Sequence, residues 1–174
     1  LTESSPVLTF NPLGGTAKPG SIGIPMPSTD IQIVDDNGKE VAIGESGELI
    51  AKGPQIMLGY WNNTKESAAT IKDGWLYTGD IAQMDEDGYF QIVDRKKDVI
   101  LVSGFNVYPN EIEDVLVTIP GVSEAAVIGI ADENSGEAVK ALLVKSDPNL
   151  TAAEVIEFCR KKLTGYKIPK CVEF

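Results

Sequence analysis

The stretch DGWLYTGDIAQMDEDGYFQIVDRKK, residues 73–97, decides how this chain is read. Its apolar runs Ile81–Met84 and Tyr89–Val93 flank Asp85-Glu86-Asp87-Gly88. Two such runs around an Asp-Gly turn predict an antiparallel hairpin. Asp85-x-Asp87-Gly88 has a superficial likeness to a calcium loop, but the glycine comes too early and Lys96 stands where an acidic residue should close it. Upstream, Tyr77-Thr78-Gly79-Asp80 reads by residue type as a polar turn. A carboxylate held by a tight glycine turn is also a good bidentate acceptor for a ribose diol. Downstream, Asp94-Arg95-Lys96-Lys97-Asp98 is by composition a solvated face. Its position between two strands suits a defined hinge more than a floppy tether.

Working outward, residues before this tract are short apolar runs separated by turns, such as Ile31–Val34 before Asp35-Asp36-Asn37-Gly38, and Gly47–Gly53. They predict mostly antiparallel β structure, part of a barrel or distorted sheet, with one short helix over Thr64–Ile71 capped by Thr64. Beyond the tract, Val99–Val102 reads as a strand. Pro109 opens a helix whose buried face is Ile112, Val115, Leu116 and Ile119, ended by Pro120-Gly121. Ala125–Ala131 and Ala138–Lys145 read as strands. Thr151 and Glu154 have capping-box spacing ahead of a helix burying Val155, Ile156, Cys159 and Leu163, with Gly165 ending it and a last strand at Val172–Phe174. The expected fold class is α+β: a mostly antiparallel part over 1–96, then a small α/β layer domain over 97–174.

The 174 residues suffice for one ordinary domain or two small ones, and 43% hydrophobic and 24% charged content is that of a soluble globular protein. No apolar run approaches the roughly 18–20 residues that span a bilayer. A net charge of −11 argues against a general nucleic-acid binder. That charge is uneven: residues 1–93 carry 5 basic and 13 acidic side chains, residues 94–174 carry 10 and 13. Two basic islands, Arg95–Lys97 and the group Arg160, Lys161, Lys162, Lys167 and Lys170, read either as solvated faces or as local attraction for anions. Histidine is absent and Cys159 and Cys171 are the only cysteines. This leaves no zinc spacing and no Cys/His or Ser/His nucleophile, and two unpaired thiols fit a reducing cytoplasm.

Several segments succeed one another in a telling order: Leu1-Thr2-Glu3-Ser4, Ser46-Gly47-Glu48-Leu49 through Gly59-Tyr60-Trp61, Tyr77–Asp80, Asp94–Asp98, and Ile100–Val115 (ILVSGFNVYPNEIEDV). In order and spacing the chain resembles the fatty acyl-CoA synthetases of the adenylate-forming (AMP-binding) superfamily over essentially its whole length. The closing LTGYKIPKCVEF, residues 163–174, is similar to the bacterial long-chain group. The resemblance implies activation of a fatty acid by ATP to acyl-adenylate, then transfer to CoA. It implies that Asp80 grips the ribose of ATP or AMP, that Arg95 contacts ribose and phosphate, and that Ile92 packs near the nucleotide. It implies that Thr2 meets the α-phosphate, Glu3 binds Mg²⁺, Ser103 and Gly104 border the CoA pantetheine, and Lys97 is the hinge of a mobile small domain. Gly47, Gly53 and Gly59 serve as scaffold, and Tyr60 and Trp61 as packing.

The chain opens on Leu1 inside a motif, so we expect a piece of a longer protein. It lacks the family's phosphate loop, its fatty-acid pocket and the adenylation Lys segment past Phe174, so no catalytic residue is assigned and no synthetase activity is expected of the chain alone. The implied partners are fatty acid, ATP and CoA rather than nucleic acid, in the cytoplasm. Peripheral contact with the inner face of the cell membrane and a homodimer are both compatible with it. Two alternatives stay open: a fatty-acyl-AMP ligase or other acyl- or aryl-CoA ligase, and, from a different class, a non-catalytic binding module. If Asp80 and Arg95 diverge, the ligand reading fails.

Overall fold

The computed structural model describes residues 1–174, which divide into two compact units, Leu1–Lys96 and Lys97–Phe174. No helix is long and apolar enough to cross a membrane.

Unit 1 contains β1 (Thr9–Phe10), β2 (Ile24–Pro25), β3 (Asp30–Val34), β4 (Gly47–Lys52), α1 (Thr64–Thr70), β5 (Ile71–Lys72), β6 (Trp75–Met84) and β7 (Phe90–Arg95). Strands β3, β4, β6 and β5 lie in that order in a 5-stranded sheet, and β7 also pairs with β6; every pairing is antiparallel. The sheet is open rather than closed into a barrel, and β1 and β2 form a separate 2-stranded ribbon. Asp-containing turns set its hairpins. Asp35 Oδ1 accepts from the Asn37 and Lys39 amides, and Asp85 Oδ1 from those of Asp87 and Tyr89, with Gly38 and Gly88 at positive φ. Lys18 bridges Asp85 and Asp87 at 2.5 and 2.6 Å. Strand β4 is the spine of the unit: Gly47 through Ala51 are all buried. Leu49 and Ala51 join Leu8, Ile33, Ala82 and Phe90 in its core. Helix α1 is capped by Asn63, not Thr64. The Asn63 side chain accepts from the Glu66 amide, and Thr64 is the first helical residue.

Unit 2 contains β8 (Ile100–Val102), β9 (Phe105–Val107), α2 (Pro109–Leu116), β10 (Val122–Asp132), β11 (Gly136–Lys145), α3 (Ala152–Lys162) and β12 (Cys171–Glu173). The sheet order is β10-β11-β8-β9, with β12 parallel to β11 and the other pairs antiparallel. Residues on α2 and α3 (Ile112, Leu116, Val155 and Cys159) pack on Val127, Val139, Ala141 and Leu143 of the sheet. Of the expected α2 face, Ile112 and Leu116 are buried in this core but Val115 is only half-buried and lies outside it, and the helix ends at Leu116, before Pro120-Gly121. Ile119 joins the core from the turn that follows. Likewise α3 ends at Lys162 with Leu163 extended, before Gly165. Its capping box is complete: the Thr151 amide donates to Glu154 Oε2 at 2.9 Å and the Glu154 amide to Thr151 Oγ1 at 3.3 Å. Strand β9 was not anticipated. Glu113 sits near a helix N-terminus, but its carboxylate also has a tertiary partner, the Val127 amide at 2.8 Å.

Candidate nucleotide site

The site in unit 1 starts from a fault in the β4–β6 ladder. Glu48 pairs with Ile81 and Ile50 with Tyr77, so Thr78, Gly79 and Asp80 together oppose Leu49. The Tyr77–Asp80 segment is thus a bulge within a long strand, and its extra residues kink β6 outward. Gly79 takes φ +72, which a side chain would strain. Thr78 Oγ1 donates to the Leu49 carbonyl at 2.7 Å and accepts the Asp80 amide at 3.1 Å. The Gly79 amide donates to Glu48 Oε1 at 3.2 Å. Thr78 and Gly79 thus tie the turn to β4, and Thr78 in turn holds Asp80.

Asp80 is the direct register partner of Arg95 on β7, and Arg95 Nη1 lies 2.8 Å from Asp80 Oδ1. The Asp80 side chain is 13% exposed and that of Arg95 54%. Burial pushes the Asp80 carboxyl above the ordinary range, outweighing the pull of the guanidinium. The two side chains therefore converge. Arg95 also lines a cavity of about 270 Å³ with Thr2, Glu3, Tyr60, Thr70, Tyr77 and Thr78. The sequence reading thus finds Thr2, Glu3 and Arg95 around one concavity, with Asp80 bonded to Arg95. Ile92 is not among its lining residues; it stands on β7 with 36% exposure.

Two residues here were missed as functional groups. Tyr60 does more than pack: its hydroxyl donates to Glu3 Oε1 at 2.9 Å. The Glu3 backbone N–H and this phenol hold the Glu3 carboxyl below the usual range. Trp61, expected to pack, is 91% exposed. Glu48, read as scaffold, accepts from Gly79 and also from Lys96 Nζ at 3.0 Å. A carboxylate inside the otherwise apolar run of β4 was the available signal; nothing local marks Tyr60. The donor set at Thr2 and Glu3 is all oxygen, which suits a hard cation sharing phosphate ligands. No cluster of acidic, His or Cys side chains forms a closed metal cage.

In unit 2, Ser103 (φ 51) and Gly104 (φ 83) are the two loop residues of the β8–β9 hairpin, whose register is Val102 to Phe105. Positive φ at both loop positions defines a type I′ turn, for which glycine at the second is favoured. The Ser103 amide donates to the Ser135 carbonyl at 2.8 Å, fixing the hairpin to β11's approach. Nearby, a cavity of about 430 Å³ is lined by Val102, Ser135, Arg160, Tyr166, Ile168 and Lys170, among others. The basic island of the sequence thus contributes Arg160 and Lys170 to one hollow. Lys97 is exposed in the short 3-10 turn Lys96–Asp98.

Known proteins resemble this chain in sequence and fold. A family model described as AMP-binding enzyme matches residues 1–61, and one described as AMP-binding enzyme C-terminal domain matches residues 111–174. The chain belongs to the AMP-binding enzymes. Over 174 residues it is 60% identical to the long-chain-fatty-acid–CoA ligase of Salmonella typhimurium, covering all of this chain and 31% of that protein. It is 42% identical over 176 residues to a feruloyl-CoA synthase of an Amycolatopsis species, covering 36% of it. ATP-bound MatB from Rhodopseudomonas palustris superimposes with a TM-score of 0.91 at 38% identity, over all of this chain and 35% of that one. The chain therefore spans about a third of the length of these AMP-binding relatives.

Proposed function

We propose that this chain is the nucleotide-gripping and domain-swinging portion of a long-chain fatty acid–CoA ligase. The single observation that carries the nucleotide role is the 2.8 Å meeting of Asp80 with Arg95, beside the cavity lined by Thr2 and Glu3. In the reaction, the fatty-acid carboxylate attacks the α-phosphate of ATP, giving acyl-adenylate and pyrophosphate. The CoA thiol then displaces AMP. Asp80 accepts the ribose hydroxyls, and Arg95 turns its fork of donors to ribose and phosphate. Thr2 donates to the α-phosphate, and Glu3 with Thr2 would hold Mg²⁺. That ion supplies charge neutralisation on the phosphates. Positioning and charge stabilisation carry the chemistry, with no covalent protein intermediate.

In unit 2, the Ser103–Gly104 turn offers a backbone edge free of a bulky side chain to the pantetheine arm. The basic hollow with Arg160 and Lys170 suits the anionic end of CoA. Lys97 is the hinge that lets these groups serve the second step. The fatty-acid class follows the Salmonella typhimurium relative. The enzyme would act in the cytoplasm with peripheral access to the inner face of the membrane, where its apolar substrate collects.

The test is mass-spectrometric product analysis of the intact enzyme carrying this segment, given a ladder of fatty acids, ATP and Mg²⁺, with and without CoA. Thioester formed only with CoA, and most from long chains, is the expected result. Adenylate persisting with CoA present would make it an acyl-AMP ligase, and turnover of aryl acids alone would move it beside the feruloyl-CoA synthase. The 174-residue chain by itself should bind AMP but turn over no ATP.

A further inference from the structure

Glu48 is 8% exposed and lies in β4 between Gly47 and Leu49, both buried. Removing a carboxylate from water is costly, and a buried ion pair is poor evidence of stabilisation, since an apolar residue often serves as well. What the acid adds here is geometry. Its two oxygens go to different segments: Oε1 accepts the Gly79 amide at 3.2 Å, next to Asp80, and Oε2 accepts Lys96 Nζ at 3.0 Å. Lys96 is the last residue of unit 1, directly before Lys97. The backbone beneath Glu48 has no slack, because a Cβ on Gly47 would lie 2.5 Å from the Val34 carbonyl oxygen. Lys96 has one other partner, Asp36 at 2.9 Å, whose side chain is 84% exposed. Such an exposed pair holds little.

We propose that Glu48 is a positioning residue that ties the Asp80 turn to the end of unit 1 at Lys96, so that a nucleotide held at Asp80 is felt where the chain leaves the unit. The ligand half of this statement rests on the nucleotide reading of Asp80; the mechanical half does not. Burial pulls the Lys96 ammonium down, yet its hydrogen bonds to Asp36 and Glu48 leave it above its ordinary pKa.

The test is amide hydrogen exchange on the 174-residue chain, read at Gly79 and at residues 96–98. The Leu49 and Leu76 amides serve as controls for global opening. In Glu48→Ala both segments should exchange about tenfold faster or more while the controls hold. Glu48→Gln keeps an acceptor for Gly79 but loses the anion for Lys96. It should leave Gly79 within about threefold of wild type and speed only 96–98. If Glu48→Ala fails to fold, the Gln variant decides alone. Unchanged exchange at 96–98 in the soluble variants would overturn the tie and reduce Glu48 to a brace for the turn. AMP should slow exchange at both segments in the wild type and at Gly79 alone in Glu48→Gln. Slowing of 96–98 by AMP in the Gln variant would also overturn the proposal. No effect of AMP on either wild-type segment would sink the nucleotide reading instead, while the Ala and Gln comparison would still decide the tie.

Discussion

Thr78→Val is the sharpest probe of how the Tyr77–Asp80 turn is built. The Thr78 hydroxyl donates to the Leu49 carbonyl at 2.7 Å and accepts the Asp80 amide at 3.1 Å. Valine keeps the shape and removes both bonds, in a place where Leu49 is 2% exposed. A neutral hydrogen bond contributes about 0.5–1.5 kcal/mol, and a buried group abandoned by its partner costs about 1–3 kcal/mol. We therefore expect unit 1 to lose about 2 kcal/mol. Both tryptophans, Trp61 and Trp75, lie in unit 1, and the half-buried Trp75 opens β6 itself. Tryptophan fluorescence in urea thus reports this unit without a signal from the other. At a slope of about 1–2 kcal/mol/M the midpoint should fall by about 1–2 M with the slope unchanged. Thr78→Ser retains the hydroxyl and should stay within about 0.5 kcal/mol of wild type. A valine variant whose midpoint moves by less than about 0.2 M, or a serine variant that falls equally far, would refute the claim that this hydroxyl holds the bulge.

Asp80→Ala should weaken AMP binding by the chain about tenfold or more while barely moving the urea midpoint, since Arg95 is 54% exposed and keeps its water; calorimetric titration beside the unfolding curve checks both. Gly104→Ala should cost unit 2 about 1–2 kcal/mol through backbone strain alone, because φ is +83 and a Cβ there meets nothing within 4 Å; thermal melts by circular dichroism read it. In the intact enzyme, Gly104→Leu should impair thioester formation more than adenylation, and equal loss in both half-reactions would count against the pantetheine role. The Glu154 carboxyl is held below its ordinary 4.5 by the Thr151 hydroxyl and amide. A depressed folded pKa gives stability that is full above 4.5 and is lost as the pH falls through the lower folded value. Wild type should therefore lose more stability on acidification through that window than Glu154→Gln.

Much of the fold was legible because its determinants are local. Asp35 and Asp85 both fold their turns through their own carboxylates, and Thr151 and Glu154 cap each other three residues apart. The misplacements have local causes too. Asn63 and Thr64 are both good capping residues, and only geometry chooses between them. The buried Ile119 continues the helical spacing of Ile112 and Leu116 although the helix has already ended at Leu116. Strand β9 was hidden because Phe105-Asn106-Val107 is too short for alternation to register and its existence depends on the turn at Ser103–Gly104.

By residue type alone the sequence offered only Asp80 as a diol acceptor, and Arg95 and Glu3 entered through the family resemblance. The supports of the candidate site, Glu48 and Tyr60, reach partners 31 and 57 residues away, and no periodicity encodes such pairs. The basic islands also look different in three dimensions. Arg95 is paired with Asp80, Lys96 with Glu48 and Asp36, Lys167 with Glu111, Lys170 with Asp132, and Arg160 with Glu157. At Arg95, Arg160 and Lys170, the island cations that line the two hollows, an anionic ligand does not meet a free group. It must trade places with carboxylates already there. At Asp80 and Arg95 that trade is balanced, since ribose hydroxyls can take the aspartate while phosphate takes the guanidinium. The resting ion pair thus keeps both groups oriented and compensated until a molecule carrying a diol and a phosphate together replaces each partner at once. A bare phosphate offers nothing to Asp80, and a bare ribose nothing of opposite charge to Arg95. On the proposed nucleotide reading, the pair selects for a nucleotide over either of its halves.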